Sequence, residues 1–217
     1  MIRRKRTIAY VDGFNLYHAV GDLGANYLKW LDLRALTVAF APRSDHDMVQ
    51  VVYFTAYAHW RPESSARHAI YVAALQAKGI TAHLGRFKAR SRQCRACGAR
   101  WTDHEEKESD VSLGITMVRD AMQARYDRAL LFTRDSDLVP AVRMARDVSS
   151  SADILIISPE WHRKPSELIT TAGGRGHHRF LRRIHLERAL LPAEVCCDGG
   201  NSRVQRPAAY DPPRTDQ

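Results

Sequence analysis

The chain has 217 residues, 45% of them hydrophobic and 26% charged, which is typical of a globular protein and long enough for one α/β domain with a short appendage. Its net charge of +9, from 33 Lys and Arg against 24 Asp and Glu, leaves two readings open: a polyanionic partner such as nucleic acid, or a merely basic soluble protein. There is no apolar run of about 18 residues, and the basic start MIRRKR leads straight into a β-like segment, so neither a membrane span nor a secretory signal is expected.

Strand-like and helix-like patterns alternate along the chain up to residue 172. A capping-box pattern at Thr102 and Glu105 predicts the start of the fourth helix. Such alternation predicts a parallel sheet with helices on both faces, whose active residues gather at the carboxyl ends of the strands. The predicted strands cover residues 7–11, 48–58, 80–87, 129–133 and 154–157, and the predicted helices cover 15–20, 33–40, 62–78, 102–125, a stretch after 137 to about 147, and 165–172.

The regular patterns weaken after residue 172. Residues 173–176 (GGRG) predict a flexible break, and residues 179–191 predict a basic helix. From Pro192 the chain is rich in Gly, Pro and polar residues, which predicts a disordered tail. Residues 173–217 are therefore expected to form an appendage to the α/β domain.

Aspartates stand at the ends of two predicted strands. Asp12 follows the first strand, and Asp135 and Asp137 follow the fourth, while Asp110 lies on the helix that leads into the fourth strand. If these strands are neighbours, the carboxylates share one edge of the sheet, where their repulsion calls for a divalent cation such as Mg²⁺ or Mn²⁺. Such a site can activate water against a phosphodiester. The alternative is ordinary helix capping, which any single one of these aspartates could provide and Asp137 could provide alone; Asn15 is likewise a candidate helix cap.

Three blocks of the sequence resemble the NYN domain, a PIN-like nuclease domain of the LabA-like group. They are IAYVDGFNLYHAV (8–20), EEKESDVSLGITMVRDA (105–121) and DRALLFTRDSDLVPAVRMAR (127–146), and they occur in the order and spacing of that family. The resemblance covers residues 6–172.

The resemblance implies a PIN-like, Rossmann-type sheet and metal-dependent ribonuclease activity. By position, it implies that Asp12, Asp110, Asp135 and Asp137 bind the metal, that Asn15 is a polar partner of the first acid, and that Ser136 lies between two ligands.

The sequence departs from the family at Arg134. Relatives usually carry Gly directly before Asp-Ser-Asp. If the backbone there requires a positive φ, Arg134 is strained; an arginine at this edge can instead contact phosphate.

Residues 88–102 break the α/β pattern and predict an inserted knuckle around Cys94 and Cys97. This CxxC is half of a tetrahedral zinc site, for which His104 is the nearest further ligand and a second subunit is one source of a missing pair. The alternative is a degenerate knuckle with two free thiols. The four cysteines make no disulfide framework, so a cytoplasmic protein is expected.

Basic residues of the same insertion are candidates for binding RNA. Lys88, Arg90 and Arg92 could hold the phosphate backbone without sequence preference, and Trp101 could stack on a base or merely anchor its loop.

Three functions remain in order of preference. The first is a metal-dependent ribonuclease, with endonuclease action favoured over exonuclease action. The second is a non-catalytic RNA-binding or regulatory module. The third is a metal-dependent enzyme acting on a small molecule, which a deep apolar pocket beside the acids would support and a wide basic groove would oppose. RNA is the expected partner, no membrane is expected, and a homodimer is considered.

Overall fold

A computed structural model describes residues 3–149, 152–197 and 202–213, and it contains one parallel six-stranded sheet with two antiparallel hairpins. The strands are β1 (Lys5–Asp12), β2 (His46–Thr55), β3 (Thr81–Leu84), β4 (Arg86–Gln93), β5 (Arg100–Lys107), β6 (Arg128–Phe132), β7 (Asp153–Pro159), β8 (His178–Leu181), β9 (Glu194–Cys197) and β10 (Ser202–Gln205). The helices are α1 (Gly13–Gly21), α2 (Leu33–Val38), α3 (Pro62–Ala77), α4 (Ser109–Met122), α5 (Val139–Val148), α6 (Ser166–Ala172) and α7 (Arg183–Glu187).

The six-stranded sheet confirms the predicted α/β fold. Its order is β3-β2-β1-β6-β7-β8, and each neighbouring pair is parallel. Successive residues of the central strand β1 point to opposite faces, so that Ile8 and Tyr10 pack in one core and Ala9 and Val11 in the other. Helices α1–α3 cover one face and helices α4–α6 the other. No helix in the described ranges is long and apolar enough to cross a membrane.

The insertion is a β-hairpin with Cys94 and Cys97 at its turn, so most of the predicted knuckle over 88–102 consists of paired strands. The third predicted strand ends at Leu84, and β4 and β5 then pair antiparallel. Basic residues alternate along β4 and face acidic residues of β5, as in the register pairs Lys88–Glu105 and Arg90–Asp103. Cross-strand charge pairs of this kind stabilise a ribbon that has little apolar surface to bury.

The predicted capping box at Thr102 and Glu105 is wrong, because both residues lie within β5. Helix α4 begins at Ser109, whose backbone N–H and hydroxyl both donate to the Glu106 carboxylate, at 3.1 and 2.6 Å. Glu108, directly before the helix, has a φ of 83°, which marks a tight reversal between hairpin and helix.

The segment after residue 173 is ordered wherever it is described, which contradicts two further predictions. Residues 179–191 contain the end of strand β8 and the short helix α7 in place of one basic helix. In the described parts of the tail, strands β9 and β10 pair antiparallel, and the side chains of Val195 and Tyr210 are buried in the core on the α1–α3 side. Residues 198–201 and 214–217 of the predicted tail lie outside the described residues. A few well-spaced apolar residues anchor this polar segment, which composition alone could not reveal.

Candidate active site

Strands β1 and β6 are neighbours, as the aspartate pattern requires. Thr133 follows β6, and its hydroxyl donates to the Asp12 carboxylate at 2.8 Å and accepts from the Asp135 backbone N–H at 3.1 Å. The two aspartates are thus joined through one threonine at the carboxyl edge of the sheet.

Asp12 is buried at the junction of β1 and α1. Its carboxylate accepts the Asn15 backbone N–H at 2.9 Å, so Asp12 itself caps α1 and the alternative of Asn15 as the cap is wrong. Gly13 is required beside it, because a Cβ there would lie 2.5 Å from the Phe54 carbonyl oxygen. Burial raises the pKa of Asp12 despite its two hydrogen bonds, and Asp135 raises it further.

Asp110, in the first turn of α4, reaches the same edge. Burial and then the negative charges of neighbouring carboxylates raise the pKa of Asp110 to about 6. We call the resulting set the acid cluster: Asp12, Glu106, Asp110, Asp135 and Asp137. All four predicted aspartates therefore lie in one electrostatic environment.

Glu106 is the member that the sequence analysis missed. It lies near the end of β5, and the tight base of the hairpin brings it to the edge of the sheet. Gly85 makes this approach possible, because a Cβ there would lie 2.7 Å from the Lys107 carbonyl oxygen and 2.9 Å from the Glu106 carboxylate. The alternation of polar residues along the hairpin was the sequence feature from which a strand containing Glu106 could have been predicted.

Asp137 and Ser136 are exposed at the outer side of the cluster. The Asp137 backbone N–H donates to the Asp135 carboxylate at 2.9 Å, so Asp135 rather than Asp137 caps the short turn that precedes α5. The alternative reading of Asp137 as a helix cap is therefore wrong.

In the described part of the chain the acid cluster has no ion-pair partner, although Arg134 lines a cavity together with four of its members. None of its five carboxylates forms an ion pair there. Unpaired carboxylates that raise one another's pKa values indicate a functional site, since a purely structural site would pair them.

The donor chemistry of the cluster fits a hard divalent cation. Within the same described ranges, no group of three or more His, Cys, Asp or Glu is arranged to hold a metal by itself. Mg²⁺ commonly takes only one or two carboxylates and completes its shell with water and substrate phosphate. Metal binding by Asp12, Asp110, Asp135 and Asp137 therefore stays a prediction.

Arg134 is not strained. Positive φ values at non-glycine residues, among those described, occur only at Glu108 and Ala124, so the backbone before Asp135 does not need glycine. The Arg134 side chain is exposed and lines a groove of about 440 Å³ on the outer side of the cluster. Arg163 and Lys164 line the same groove, together with Ser136 and the acidic side chains Asp135 and Glu167; we call it the basic groove for its three cations.

A cavity of about 630 Å³ opens on the other side of the acid cluster. The Trp60 ring lies parallel to the His104 ring, with centroids 3.8 Å apart, and meets the Phe87 ring edge-on at 4.5 Å. Phe14 and Tyr210 also line this space, which we call the aromatic cavity. The sequence suggested only His104 among these five as a site residue, and in another role, because the five come from separate segments with no shared motif.

His104 lies in the aromatic cavity and away from the cysteines, so its prediction as a ligand beside them is wrong. In β5 it pairs with Ala89, four residues from Arg100 at the turn, or about 13 Å along the strand. Cys94 and Cys97 remain close at the turn, where backbone N–H groups of Ala96 and Cys97 lower the pKa of the Cys94 thiol. A zinc site there stays a prediction that needs ligands from elsewhere, such as a second copy of the chain.

Several basic side chains of the hairpin form ion pairs with acidic side chains of the same hairpin. Arg90 forms an ion pair with Glu105 at 3.2 Å, and Arg92 forms ion pairs with Glu105 at 2.6 Å and Asp103 at 3.4 Å. Lys88 is exposed. RNA binding by these three basic residues stays a prediction, and the intramolecular pairing reduces the charge available for it.

Comparison with known proteins identifies one matching family. The NYN domain profile matches residues 6–174. The chain is 29% identical over 181 residues to the 6-hydroxy-3-succinoylpyridine 3-monooxygenase HspA of Pseudomonas putida, an alignment that covers 65% of this chain and 55% of that protein. The chain thus spans about half the length of this relative.

A solved structure shares the fold. It is a protein of unknown function from Vibrio parahaemolyticus, which matches with a TM-score of 0.54 at 18% identity over 87% of this chain and 97% of its own. At this identity the likeness concerns the fold alone.

Proposed function

The chain belongs to the NYN domain family, and from this membership we propose that it is a metal-dependent ribonuclease that hydrolyses phosphodiester bonds in RNA. The observation that carries the proposal is the acid cluster, in which burial and neighbouring carboxylates raise the pKa values of Asp12 and Asp110 and the carboxylates form no ion pair in the described part of the chain. Fold membership alone would not be enough, because one fold hosts many activities.

The carboxylates of the acid cluster differ in their surroundings. Asp12 is held by Thr133 and by the first turn of α1, so it presents its oxygens in one orientation. Asp110 is half-buried, and its raised pKa shows that the cluster resists a further negative charge. The chemistry that Mg²⁺ or Mn²⁺ supplies in such a site is neutralisation of phosphate charge and activation of a water molecule.

The basic groove accounts for substrate positioning. Arg134 lies between the cluster and this groove, and Arg163 and Lys164 continue it away from the acids. Their charges suit the phosphates that flank the scissile bond, and binding of this kind is independent of sequence. We further propose that the protein acts as an endonuclease in the cytoplasm, where the free thiols of Cys94 and Cys97 stay reduced.

A second candidate function is a metal-dependent enzyme acting on a small aromatic molecule. The aromatic cavity beside the acids favours it, and so does the name of the relative HspA, which describes a monooxygenase of a substituted pyridine. The basic groove favours the ribonuclease, because its cations suit a chain of phosphates, which a small aromatic molecule lacks.

The test is cleavage of labelled single-stranded RNA in Mn²⁺. We expect Asp12→Asn and Asp135→Asn to lower the cleavage rate about 100-fold or more, because each keeps the side-chain shape and removes a ligand charge. Asp47→Asn is the matched control, since Asp47 is an exposed aspartate at the opposite edge of the sheet, where it pairs with Arg4.

Two results would contradict the proposal. If the wild type binds RNA and cuts nothing in Mn²⁺, the protein is a non-catalytic RNA-binding module. If it binds no RNA, substrates must be sought among small aromatic molecules.

A further inference from the structure

The acid cluster lies between two recesses of different character. The aromatic cavity and the basic groove share three lining residues, Asn15, Arg134 and Asp135. A substrate that occupied both would therefore pass directly over the carboxylates. One of its parts would meet aromatic rings and the other would meet cations.

Stacked aromatic rings line part of the aromatic cavity. The ring of Trp60 stacks on the ring of His104, and the Phe87 ring packs edge-on against Trp60. Trp60 keeps 37% of its surface exposed, which is unusual for a side chain used only for packing. A planar ring that enters the cavity can stack on these aromatic side chains, as bases do in proteins that bind single strands.

The inner wall of the cavity carries neutral polar groups. His68 is largely buried, and its Nε2 lies 3.1 Å from the Thr55 hydroxyl and 3.5 Å from the Tyr53 hydroxyl. Burial lowers the pKa of His68 to about 4, so the ring is neutral at physiological pH. Neutral donors and acceptors of this kind suit the hydrogen-bonding edge of a nucleobase.

We propose that the aromatic cavity receives one unpaired base of the RNA substrate, next to the phosphate that lies over the acid cluster. This inference rests on the proposed ribonuclease function and adds its substrate class: single-stranded RNA, or a loop with a base free to turn outward. A paired base cannot enter the cavity without leaving its helix. The basic groove then holds the phosphates on the other side of the scissile bond.

Two parts of the chain outside the central sheet complete this cavity. The β4–β5 hairpin contributes Phe87 and His104, and the segment after β10 contributes Tyr210. Tyr210 lies beyond the residues that match the NYN family, so the cavity depends on a segment added to the common domain.

The experiment measures binding, with Ca²⁺ in place of Mn²⁺, of a set of short single-stranded RNAs that each lack one base at a different position. We expect one position at which loss of the base weakens binding about 10- to 100-fold, with little effect at the others. In Trp60→Ala this dependence should disappear, and in Trp60→Phe it should largely return, because the ring is restored. Trp101→Ala is the control, since Trp101 on β5 is a second exposed tryptophan, with 51% of its surface accessible, and does not line the cavity.

The outcomes separate this inference from the proposed function. If the protein cuts RNA but every abasic position weakens binding equally, the ribonuclease stands and the base site is overturned. If it shows the single sensitive position but never cuts RNA, the base site stands and the ribonuclease fails. If a pyridine carboxylate binds the wild type more tightly than RNA and this binding is lost in Trp60→Ala, the cavity is a small-molecule site and the inference is overturned.

Discussion

Aspartates at the two ends of the parallel strands in the six-stranded sheet have pKa values shifted in opposite directions. At the amino edge, Asp127 accepts hydrogen bonds from the Arg6 guanidinium and backbone, which lower the pKa of Asp127 to about 2. Burial alone would raise the pKa of Asp153, but the Arg128 hydrogen bond and charge outweigh it and lower this pKa. At the carboxyl edge, burial and like charges raise the pKa values of Asp12 and Asp110.

The difference separates acids that serve the fold from acids that serve the site. A carboxylate with a cation beside it stabilises the folded chain at neutral pH, whereas crowded carboxylates without one destabilise it. Proteins tolerate such a loss where the charges are needed for binding or chemistry. The contrast therefore supports a functional role for the carboxyl edge independently of the family match.

The prediction with the largest effect compares the stability of two variants, Asp120→Asn and Asp12→Asn, each of which alters a buried aspartate. Asp120 accepts hydrogen bonds from the Tyr10 hydroxyl and from the guanidinium groups of Arg119 and Arg125. We expect Asp120→Asn to lower the free energy of unfolding by about 3 kcal/mol, because it leaves these groups without their charge partner. That corresponds to a fall in Tm of about 6–12 °C for a chain of this size.

Asp12→Asn should not lower the Tm in metal-free buffer at pH 7. The amide relieves the repulsion from Asp135, and its oxygen can still accept the Asn15 backbone N–H while its NH₂ donates to the Thr133 hydroxyl. Thermal unfolding of both variants measures the contrast. Equal losses of stability in the two would contradict the distinction between the edges.

The next effect is stabilisation by a divalent cation. At a Mn²⁺ concentration 100 times its Kd, the folded state should gain about 2.7 kcal/mol, a rise in Tm of roughly 5–11 °C. Asp135→Asn should remove most of this rise because a ligand charge is lost, while Asp47→Asn should keep it. A rise of unchanged size in Asp135→Asn would place the ion away from the acid cluster.

The smallest effect is a pH dependence that comes from Asp110. Its pKa of about 6 in the folded protein exceeds the ordinary value of 3.8. The folded state therefore takes up this proton before the unfolded chain does, and the contribution of Asp110 to stability increases as the pH falls from 7 to 5. Asp110 is only partly buried, so screening reduces the expected gain to about 1 kcal/mol, or about 2–4 °C in Tm.

The measurement is the difference in Tm between wild type and Asp110→Asn across this range, without metal. Taking the difference removes the opposite contribution of buried histidines such as His68, whose pKa is lowered. We expect the wild type to gain relative to the variant on acidification. A flat difference would show that Asp110 does not share the environment of the other carboxylates.

How far the sequence alone predicts this protein depends on the kind of pattern involved. The parallel sheet follows from short apolar runs separated by helical spacing, which are local patterns. Asp12 and Asp135 were predictable as partners because both follow strands, and the carboxyl ends of parallel strands meet at one edge. The β4–β5 hairpin was missed because its strands are held by cross-strand charges, and apolar periodicity does not detect these.

The acid cluster and the aromatic cavity show where sequence analysis ends. Which aspartates could come together follows from the sequence, because each lies in or next to a predicted element with a fixed direction. That Trp60, His104 and Tyr210 surround one cavity follows only from the packing of the chain, since they lie far apart in the sequence and on elements of different kinds. Contacts between distant segments depend on how the hairpin and the tail fold back over the sheet, and no local pattern specifies that packing.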